Sequence, residues 1–230
     1  MKYYQIDRTG EPKIIGVTNG SAQVEVIEKA IDKNHNYLDF ENHFSGYNLE
    51  FWQNQQRVYD LTPPPIKGKI LKKAKLTDII EYGPNYHFLY KAYSEKYINI
   101  IRAFNIPRLK TFDFEIENIS EKYHLLFFET VLLDEIDYEK SKVISGYKVL
   151  NNIKYHSVNN RDEYIAFNYN NPTGGFELIA IPKKYLGKDI ISIEASSLPF
   201  YSERLIDFLL DCKITGLQVA YNNSIQLEFV

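Results

Sequence analysis

A short stretch of this chain occurs twice, and the repeat constrains the fold more than any other feature. Tyr93-Ser94-Glu95-Lys96 and Tyr201-Ser202-Glu203-Arg204 each begin an apolar pattern with helical spacing. Serine favours the N-cap position, so we predict a helix after Ser94 and after Ser202. The residues upstream also match, since Asp78-Ile79-Ile80 corresponds to Asp189-Ile190-Ile191. The sequence therefore predicts a duplicated strand-loop-helix-strand unit, at about residues 76–116 and 187–221.

The apolar positions within the two stretches agree with this interpretation. The strand expected after the first helix alternates between apolar Phe112, Phe114 and Ile116 and polar residues, as in a half-buried strand. The alternative is chance similarity between two amphipathic helices. The apolar face of each predicted helix contains three matched residues: Tyr97, Ile98 and Ile101 in the first, and Leu205, Ile206 and Leu209 in the second.

Three consecutive prolines, Pro63–Pro65, form the best candidate for a domain boundary. Proline lacks a backbone N–H and fits neither a helix interior nor a central strand, so the run predicts a stiff, extended connector. We therefore predict a strand- and loop-rich region over residues 1–65 and an α+β domain over residues 66–230.

Further strands are expected on both sides of the prolines. In the first region, Ile14–Val17 and Val24–Ile27 are predicted to pair through a turn at Asn19-Gly20, whereas residues 32–51 are predicted to be mainly loop. The predicted fold class is α+β, a mainly antiparallel sheet with a few packed helices. The later segments that favour strands are Tyr123–Phe128, Tyr164–Tyr169, Phe176–Ile181 and Ile225–Phe229.

Composition narrows the class of protein. Lys and Arg total 27 and Asp and Glu total 30, so the net charge of −3 argues against a dedicated binder of nucleic acid or anionic membrane. A single cysteine excludes an internal disulfide framework and a cysteine-rich zinc site. The chain shows neither a secretory signal nor an apolar run of about 18 residues. We expect a cytoplasmic protein, and the sequence leaves its oligomeric state open.

The search for catalytic motifs finds no nucleotide-binding loop, serine-hydrolase elbow or metalloprotease helix. His35 and His43, with carboxylates between them, lack the spacing of a metal motif. Cys212 aligns with Phe104 on the apolar face of its helix, which predicts a buried and unreactive thiol. We therefore expect no catalytic residue, no metal and no cofactor.

In one acidic segment of the chain, carboxylates alternate with apolar residues. Its carboxylates could support acid–base chemistry or bind magnesium, or they could form a solvated face while Ile136 and Tyr138 pack inward. A third interpretation is a negative, aromatic surface that docks on a basic partner. On that interpretation the candidate partner-binding residues are Asp134, Glu135, Asp137, Tyr138 and Glu139.

Two parts of the chain resemble immunity proteins of bacterial polymorphic toxin systems, of the contact-dependent or type VI secretion type. The first is Tyr123-His124-Leu125-Leu126-Phe127-Phe128 followed by Leu132-Leu133-Asp134-Glu135-Ile136-Asp137-Tyr138-Glu139-Lys140-Ser141. The second is Tyr201-Ser202-Glu203-Arg204-Leu205 followed by Ile214-Thr215-Gly216-Leu217. The resemblance covers roughly residues 76–221.

The resemblance implies a non-catalytic cytoplasmic protein that binds and neutralises a cognate toxin domain. Buried aromatic anchors with charged surroundings suit such tight binding. Two alternatives from other classes stay open: a binding or scaffold module with another partner, and an enzyme with a dispersed carboxylate or histidine site. The gene beside this one discriminates between them, since a toxin domain encoded there favours the first interpretation.

Overall fold

The structure, a computed structural model, describes residues 1–18, 22–147, 150–222 and 224–230. It confirms the predicted α+β class, with mostly antiparallel sheets. The α-helices are α1 (Pro12–Ile15), α2 (His35–His43), α3 (Glu95–Ile101), α4 (Arg161–Asn170) and α5 (Glu203–Asp211). The strands are β1 (Tyr3–Arg8), β2 (Val24–Val26), β3 (Ile66–Ile70), β4 (Ile79–Tyr86), β5 (Leu89–Ser94), β6 (Leu109–Ile116), β7 (Tyr123–Phe128), β8 (Thr130–Val131), β9 (Lys142–Ser145), β10 (Lys154–His156), β11 (Gly175–Ile181), β12 (Ile190–Ile193), β13 (Phe200–Ser202), β14 (Leu217–Val219) and β15 (Gln226–Phe229).

The chain forms two compact units, and the division falls elsewhere than at residue 65. The proline run lies inside the second unit, whose core contains residues from both sides of it, such as Val58 and Ile66. Unit 1 comprises Met1–Ile6, Thr130–Glu203 and Val219–Val230, and unit 2 comprises Asp7–Glu129 and Arg204–Gln218.

Unit 2 contains a six-stranded closed barrel in the order β2–β3–β6–β7–β5–β4. The β3–β6 and β2–β4 pairs are parallel, and the other pairs are antiparallel. Gly68 on β3 allows the interior to close tightly, because a Cβ atom there would lie 2.5 Å from a methyl carbon of Val24 and 3.0 Å from the ring of Phe114. Helix α2 contributes Tyr37 and Phe40 to the core of this unit.

Unit 1 contains a four-stranded sheet in the order β10–β9–β11–β15. A second sheet has the order β14–β1–β13–β12–β8, and β1 and β14 each contribute residues to both units. The core of unit 1 includes Tyr138, Tyr164 and Phe176, whose rings pack on one another.

The two copies of the predicted duplication have the same hairpin register. In the first copy β4 pairs with β5 so that Ile79 lies opposite Tyr93. In the second copy β12 pairs with β13 so that Ile190 lies opposite Tyr201. Each hairpin leads directly into a helix, α3 or α5, and then into a strand. The structure therefore confirms the duplicated strand-loop-helix-strand unit.

A buried aspartate–serine pair also recurs in both copies. The Ser94 hydroxyl donates to Asp78 Oδ1 at 2.7 Å, and the Ser94 amide donates to the Asp78 carbonyl at 2.8 Å. The Ser202 hydroxyl and amide make the same two bonds to Asp189, at 2.6 and 2.9 Å. Ser94 also caps α3, since its hydroxyl accepts from the Tyr97 amide. The repeated serine and aspartate thus join each hairpin to the start of its helix.

The duplication extends to a strand that the sequence repeat does not reveal. In the first copy β7 pairs with β5, and in the second copy β1 takes the same position beside β13. The hydroxyl of Tyr123 on β7 donates to the Thr77 carbonyl at 3.1 Å, and the hydroxyl of Tyr3 on β1 donates to the Lys188 carbonyl at 2.8 Å. The backbone bonds Glu95 N to Lys122 O and Glu203 N to Lys2 O, both 2.9 Å, match as well. The second copy is therefore completed by a strand from the opposite end of the chain.

Two segments of the first region differ from the sequence prediction. Ile14–Val17 is not a strand, because Pro12 begins the short helix α1 there. Residues 32–51 contain the nine-residue helix α2, whose N-cap Asn34 accepts from the Tyr37 amide at 3.1 Å. The turn expected at Asn19-Gly20 lies outside the described residues.

A third segment, Tyr164–Tyr169, was predicted as a strand and is helical instead. It belongs to α4, which begins after Asn160, and the Asn160 side chain accepts from the Glu163 amide at 2.9 Å. Capping by an asparagine side chain therefore outweighs the strand preference of the aromatic residues.

Candidate protein-binding surfaces

The acidic segment, residues 134–139, turns its apolar residues into the core of unit 1. Ile136 and Tyr138 are 6% and 9% exposed. The Tyr138 hydroxyl donates to the Leu133 carbonyl at 3.1 Å, and the Tyr138 ring packs on Tyr164 and Phe176, so both the ring and the hydroxyl have partners within unit 1. The alternation of acidic and apolar residues thus follows the packing of the segment, and little of Tyr138 is exposed for a partner to contact.

Two of the four carboxylates pair within unit 1. Glu135 accepts from Lys184 Nζ at 2.5 Å and from the Tyr185 hydroxyl at 2.8 Å. Burial disfavours the charged form of Glu135, but these hydrogen bonds outweigh burial and lower the pKa of Glu135. Asp137 accepts from Lys140, whose ammonium lies 3.0 Å away and lowers the pKa of Asp137. Both carboxylates therefore act as internal links.

The outward-facing part of the acidic segment is Asp134 and Glu139. The Asp134 side chain is 71% exposed, and Arg161 Nε lies 3.7 Å from its carboxylate. Glu139 is exposed, and its side chain makes no hydrogen bond or ion pair with a described residue. Of the five candidate residues, these two carboxylates are the ones free to meet a partner.

Several histidines of the described ranges contact hydroxyl or carboxylate groups; His124, for example, lies between Glu95 Oε2 at 2.6 Å and Asp113 Oδ1 at 3.2 Å. Ser145 Oγ lies 2.7 Å from His156 Nε2, but no described residue forms a hydrogen bond with the other ring nitrogen to orient it. His35 pairs with Asp39 at the surface, whereas His43 is buried. Among the described residues no group of three histidine, cysteine or carboxylate side chains is placed to hold a metal ion.

Cys212 lies between the core and the surface. It follows the last residue of α5 and is only half-buried, since the helix ends one residue earlier. Its counterpart Phe104 is half-buried too, and the Phe104 ring meets Phe208 at 5.4 Å. The expected slow reaction of the Cys212 thiol stays a prediction.

The tip of the β4–β5 hairpin is held against the segment that follows α2. The hairpin turns at His87 and Phe88, and Phe88 has a φ of 64°, which is rare for a bulky residue. The Phe88 ring packs on Phe51 at 4.2 Å and on Trp52 at 4.4 Å. The His87 amide donates to the Phe44 carbonyl at 3.0 Å. These contacts stabilise an otherwise unfavourable turn and fix the segment beside it.

That segment presents two large apolar side chains to solvent. We call residues 45–49 the Tyr47 loop, in which Tyr47 is 95% exposed and Leu49 is 89% exposed. The loop backbone is ordered by local bonds: Asn48 Nδ2 donates to the His43 carbonyl at 2.8 Å, and the Tyr47 amide donates to Ser45 Oγ at 3.2 Å. The two apolar side chains thus project from a backbone that is already fixed.

A cavity of about 380 Å³ lies between α2, the start of the Tyr47 loop and the β4–β5 hairpin. We call it the acidic cavity because Glu28 and Glu41 line it. The Tyr37 hydroxyl donates to Glu41 Oε1 at 3.0 Å and therefore accepts from the Tyr86 hydroxyl, also at 3.0 Å. None of the described residues that line the cavity is a lysine or an arginine.

The electrostatics of the acidic cavity are negative. Burial raises the pKa of Tyr37, and the carboxylates of Glu41 and Glu28 raise it further. Burial lowers the pKa of His87, the one histidine in the lining, which favours its neutral form. Neither glutamate forms an ion pair with a described residue. The cavity therefore holds two carboxylates whose charge nothing in its lining neutralises.

The sequence of this region contains one pattern that indicates a helix, which the prediction of a loop did not use. Tyr37, Phe40 and Phe44 are spaced three and four residues apart, as on one helix face, and all three are buried. Exposure of Tyr47 and Leu49 has no comparable signal, because a lone apolar residue in a loop indicates neither a core position nor a surface position.

Comparison with known proteins adds no assignment. No described helix combines the length and the apolar character needed to cross a membrane. A scan against protein-family models finds none that matches this chain, and a search of curated proteins finds no match either.

Proposed function

We propose that this chain is a non-catalytic immunity protein that binds and neutralises a cognate bacterial toxin domain in the cytoplasm. The observation that carries the proposal is the Tyr47 loop. Single exposed apolar residues are common, but Tyr47 and Leu49 stand almost fully in solvent on a backbone fixed by hydrogen bonds. Tyrosine is enriched at protein interfaces, and a preformed surface loses less entropy on binding.

Asp134 and Glu139 form a second part of the proposal. They are the carboxylates of the acidic segment that point to solvent, and exposed charges of one sign accelerate association with a basic partner. Glu135 serves a different purpose, since it holds Lys184 and Tyr185 within unit 1. Reversal of Asp134 and Glu139 to lysine is therefore the informative variant, and reversal of Glu135 would perturb folding.

The test is co-expression with the toxin domain encoded beside this gene. We expect growth rescue only at a stoichiometric amount of the protein, and a complex with a dissociation constant of about 1 nM or lower. Rescue by substoichiometric amounts would indicate catalysis and overturn the proposal. Failure to bind that domain, together with stable binding to another protein, would favour the scaffold alternative.

The contribution of the Tyr47 loop is tested with a matched pair of variants. Tyr47→Ser/Leu49→Ser removes the two exposed apolar side chains and should weaken the complex at least about 100-fold, as expected for interface anchors. Tyr169→Ser/Leu150→Ser removes the same side-chain types from exposed positions of unit 1 and should leave affinity unchanged. The reverse ranking would move the interface away from the Tyr47 loop.

A further inference from the structure

The acidic cavity contains charges that the fold itself does not balance. Glu28 is exposed and its side chain makes no hydrogen bond with a described residue, whereas Glu41 accepts one bond, from Tyr37. Two carboxylates that share one cavity repel each other, so a bound cation there gains attraction from both.

The walls of the cavity specify the kind of cation. Tyr86 is partly exposed and supplies aromatic surface, which attracts organic cations through the ring quadrupole. Carboxylates match the planar guanidinium group of arginine with paired hydrogen bonds. A small metal ion fits less well, because Glu28, Glu41 and His87, the lining residues of ligand type, are not grouped closely enough to hold one.

The cavity adjoins the exposed loop in the chain, since Ser45 and Gly46 line it and Tyr47 follows directly. We propose that the acidic cavity takes an arginine side chain of the toxin domain, while Tyr47 and Leu49 cover apolar surface beside that arginine. The inference rests on the proposed function for the identity of the partner and on charge complementarity for the chemistry of the contact.

The first experiment needs no toxin. Acetyl-Gly-Arg-Gly-amide is titrated into the ¹⁵N-labelled protein, with acetyl-Gly-Gln-Gly-amide as the neutral probe. We expect saturable shifts of the Gly46 and His87 amides with a dissociation constant on the order of 1 mM for the arginine peptide alone. Equal shifts with both peptides, or no saturable shift with either, would overturn the inference.

The carboxylates are tested by removal of their charge. Glu28→Gln/Glu41→Gln should weaken binding of the arginine peptide at least about tenfold, the effect of losing charge-assisted hydrogen bonds. The control Glu25→Gln/Glu115→Gln removes two exposed glutamates of unit 2 that do not line the cavity and should bind as the unmodified protein does. Glu28→Gln alone keeps the Tyr37 bond to Glu41, so this variant still tests the cavity if the double variant fails to fold; it should bind the arginine peptide more weakly than the unmodified protein does.

The toxin complex then separates this inference from the proposed function. If the toxin domain binds the Glu28→Gln/Glu41→Gln variant as tightly as it binds the unmodified protein, the cavity inference is wrong and the immunity function stands. If the arginine peptide binds as expected but the toxin domain does not bind at all, the proposed function and its partner assignment fail together.

Discussion

Removal of the Asp78 carboxylate should be among the most damaging single changes in unit 2. Its two oxygens accept from the Ser94 hydroxyl at 2.7 Å and from the amide and hydroxyl of Thr215, both at 2.8 Å. Asp78 is 8% exposed, so water cannot readily replace these bonds in Asp78→Ala. Hydrogen bonds to a charged group contribute about 1.5–3 kcal/mol each, and the hydroxyl donors can partly re-pair, so we expect a loss of about 3–5 kcal/mol.

Urea unfolding followed by the fluorescence of Trp52 measures this loss. Trp52 is the single tryptophan of the chain, and it lies in unit 2, as Asp78 does. Asp60→Ala removes an exposed aspartate of the same unit and should cost less than about 0.5 kcal/mol. In a double-mutant cycle, Asp78→Ala and Ser94→Ala should couple by at least about 1 kcal/mol. An Asp78→Ala variant as stable as Asp60→Ala would refute the structural role of the carboxylate.

Three further changes test other parts of the fold. Burial lowers the pKa of His43, so the unfolded chain takes up a proton that the folded chain resists, and the free energy of unfolding should fall as the pH drops below the usual value of 6.5. His43→Phe should weaken that dependence in urea titrations at two pH values, and the part that stays belongs to groups such as His87, whose pKa burial also lowers. Gly68→Ala places a methyl group against Val24 and Phe114 in the barrel and should cost about 1–3 kcal/mol by thermal melting. Gly216→Ala should cost at least about 1–2 kcal/mol in the same assay, because Gly216 has a φ of +82° and a Cβ atom would lie 2.5 Å from the Ile79 carbonyl oxygen; an unchanged melting temperature in either glycine variant would contradict the packing described.

The duplicated unit could be predicted from the sequence because the matched residues make equivalent hydrogen bonds and pack in equivalent positions. Ser94 and Ser202 bind equivalent aspartates, and the apolar faces of α3 and α5 are both buried. The place of β1 could not be predicted in this way. The sequences at the start of β1 and β7 share only one pair, Lys2-Tyr3 and Lys122-Tyr123. In addition, β1 precedes the second copy in the chain, whereas β7 follows the first copy.

Two of the helices that the sequence prediction missed, α2 and α4, have the same kind of N-cap. Asn34 and Asn160 are N-caps, and their side chains accept from amides three residues ahead. The aromatic residues that follow Asn160 favour a strand in isolation, so residue preference alone predicts the wrong element there unless the cap is included.

The candidate site was less predictable than the fold. Alternation in the acidic segment is compatible with an exposed or an inward-facing Tyr138, and only the packing against unit 1 decides between them. Thr215 and Gly216, which belong to the motifs of the family resemblance, are explained by their contacts to Asp78 and Ile79. Those motifs therefore describe how the chain folds, and they leave open which partner it binds.

The position of β1 has a consequence for synthesis on the ribosome. Tyr3 and its partner Lys188 are 185 residues apart, so at about 5–20 residues per second translation takes roughly 10–40 s to supply that partner. β5 of the first copy is synthesised much earlier than Lys188. β7 is synthesised after β5 and takes the place beside β5 that β1 takes beside β13. β1 therefore cannot take its place beside β13 until nearly all of these 230 residues have been made, whereas β7 can pair with β5 much earlier.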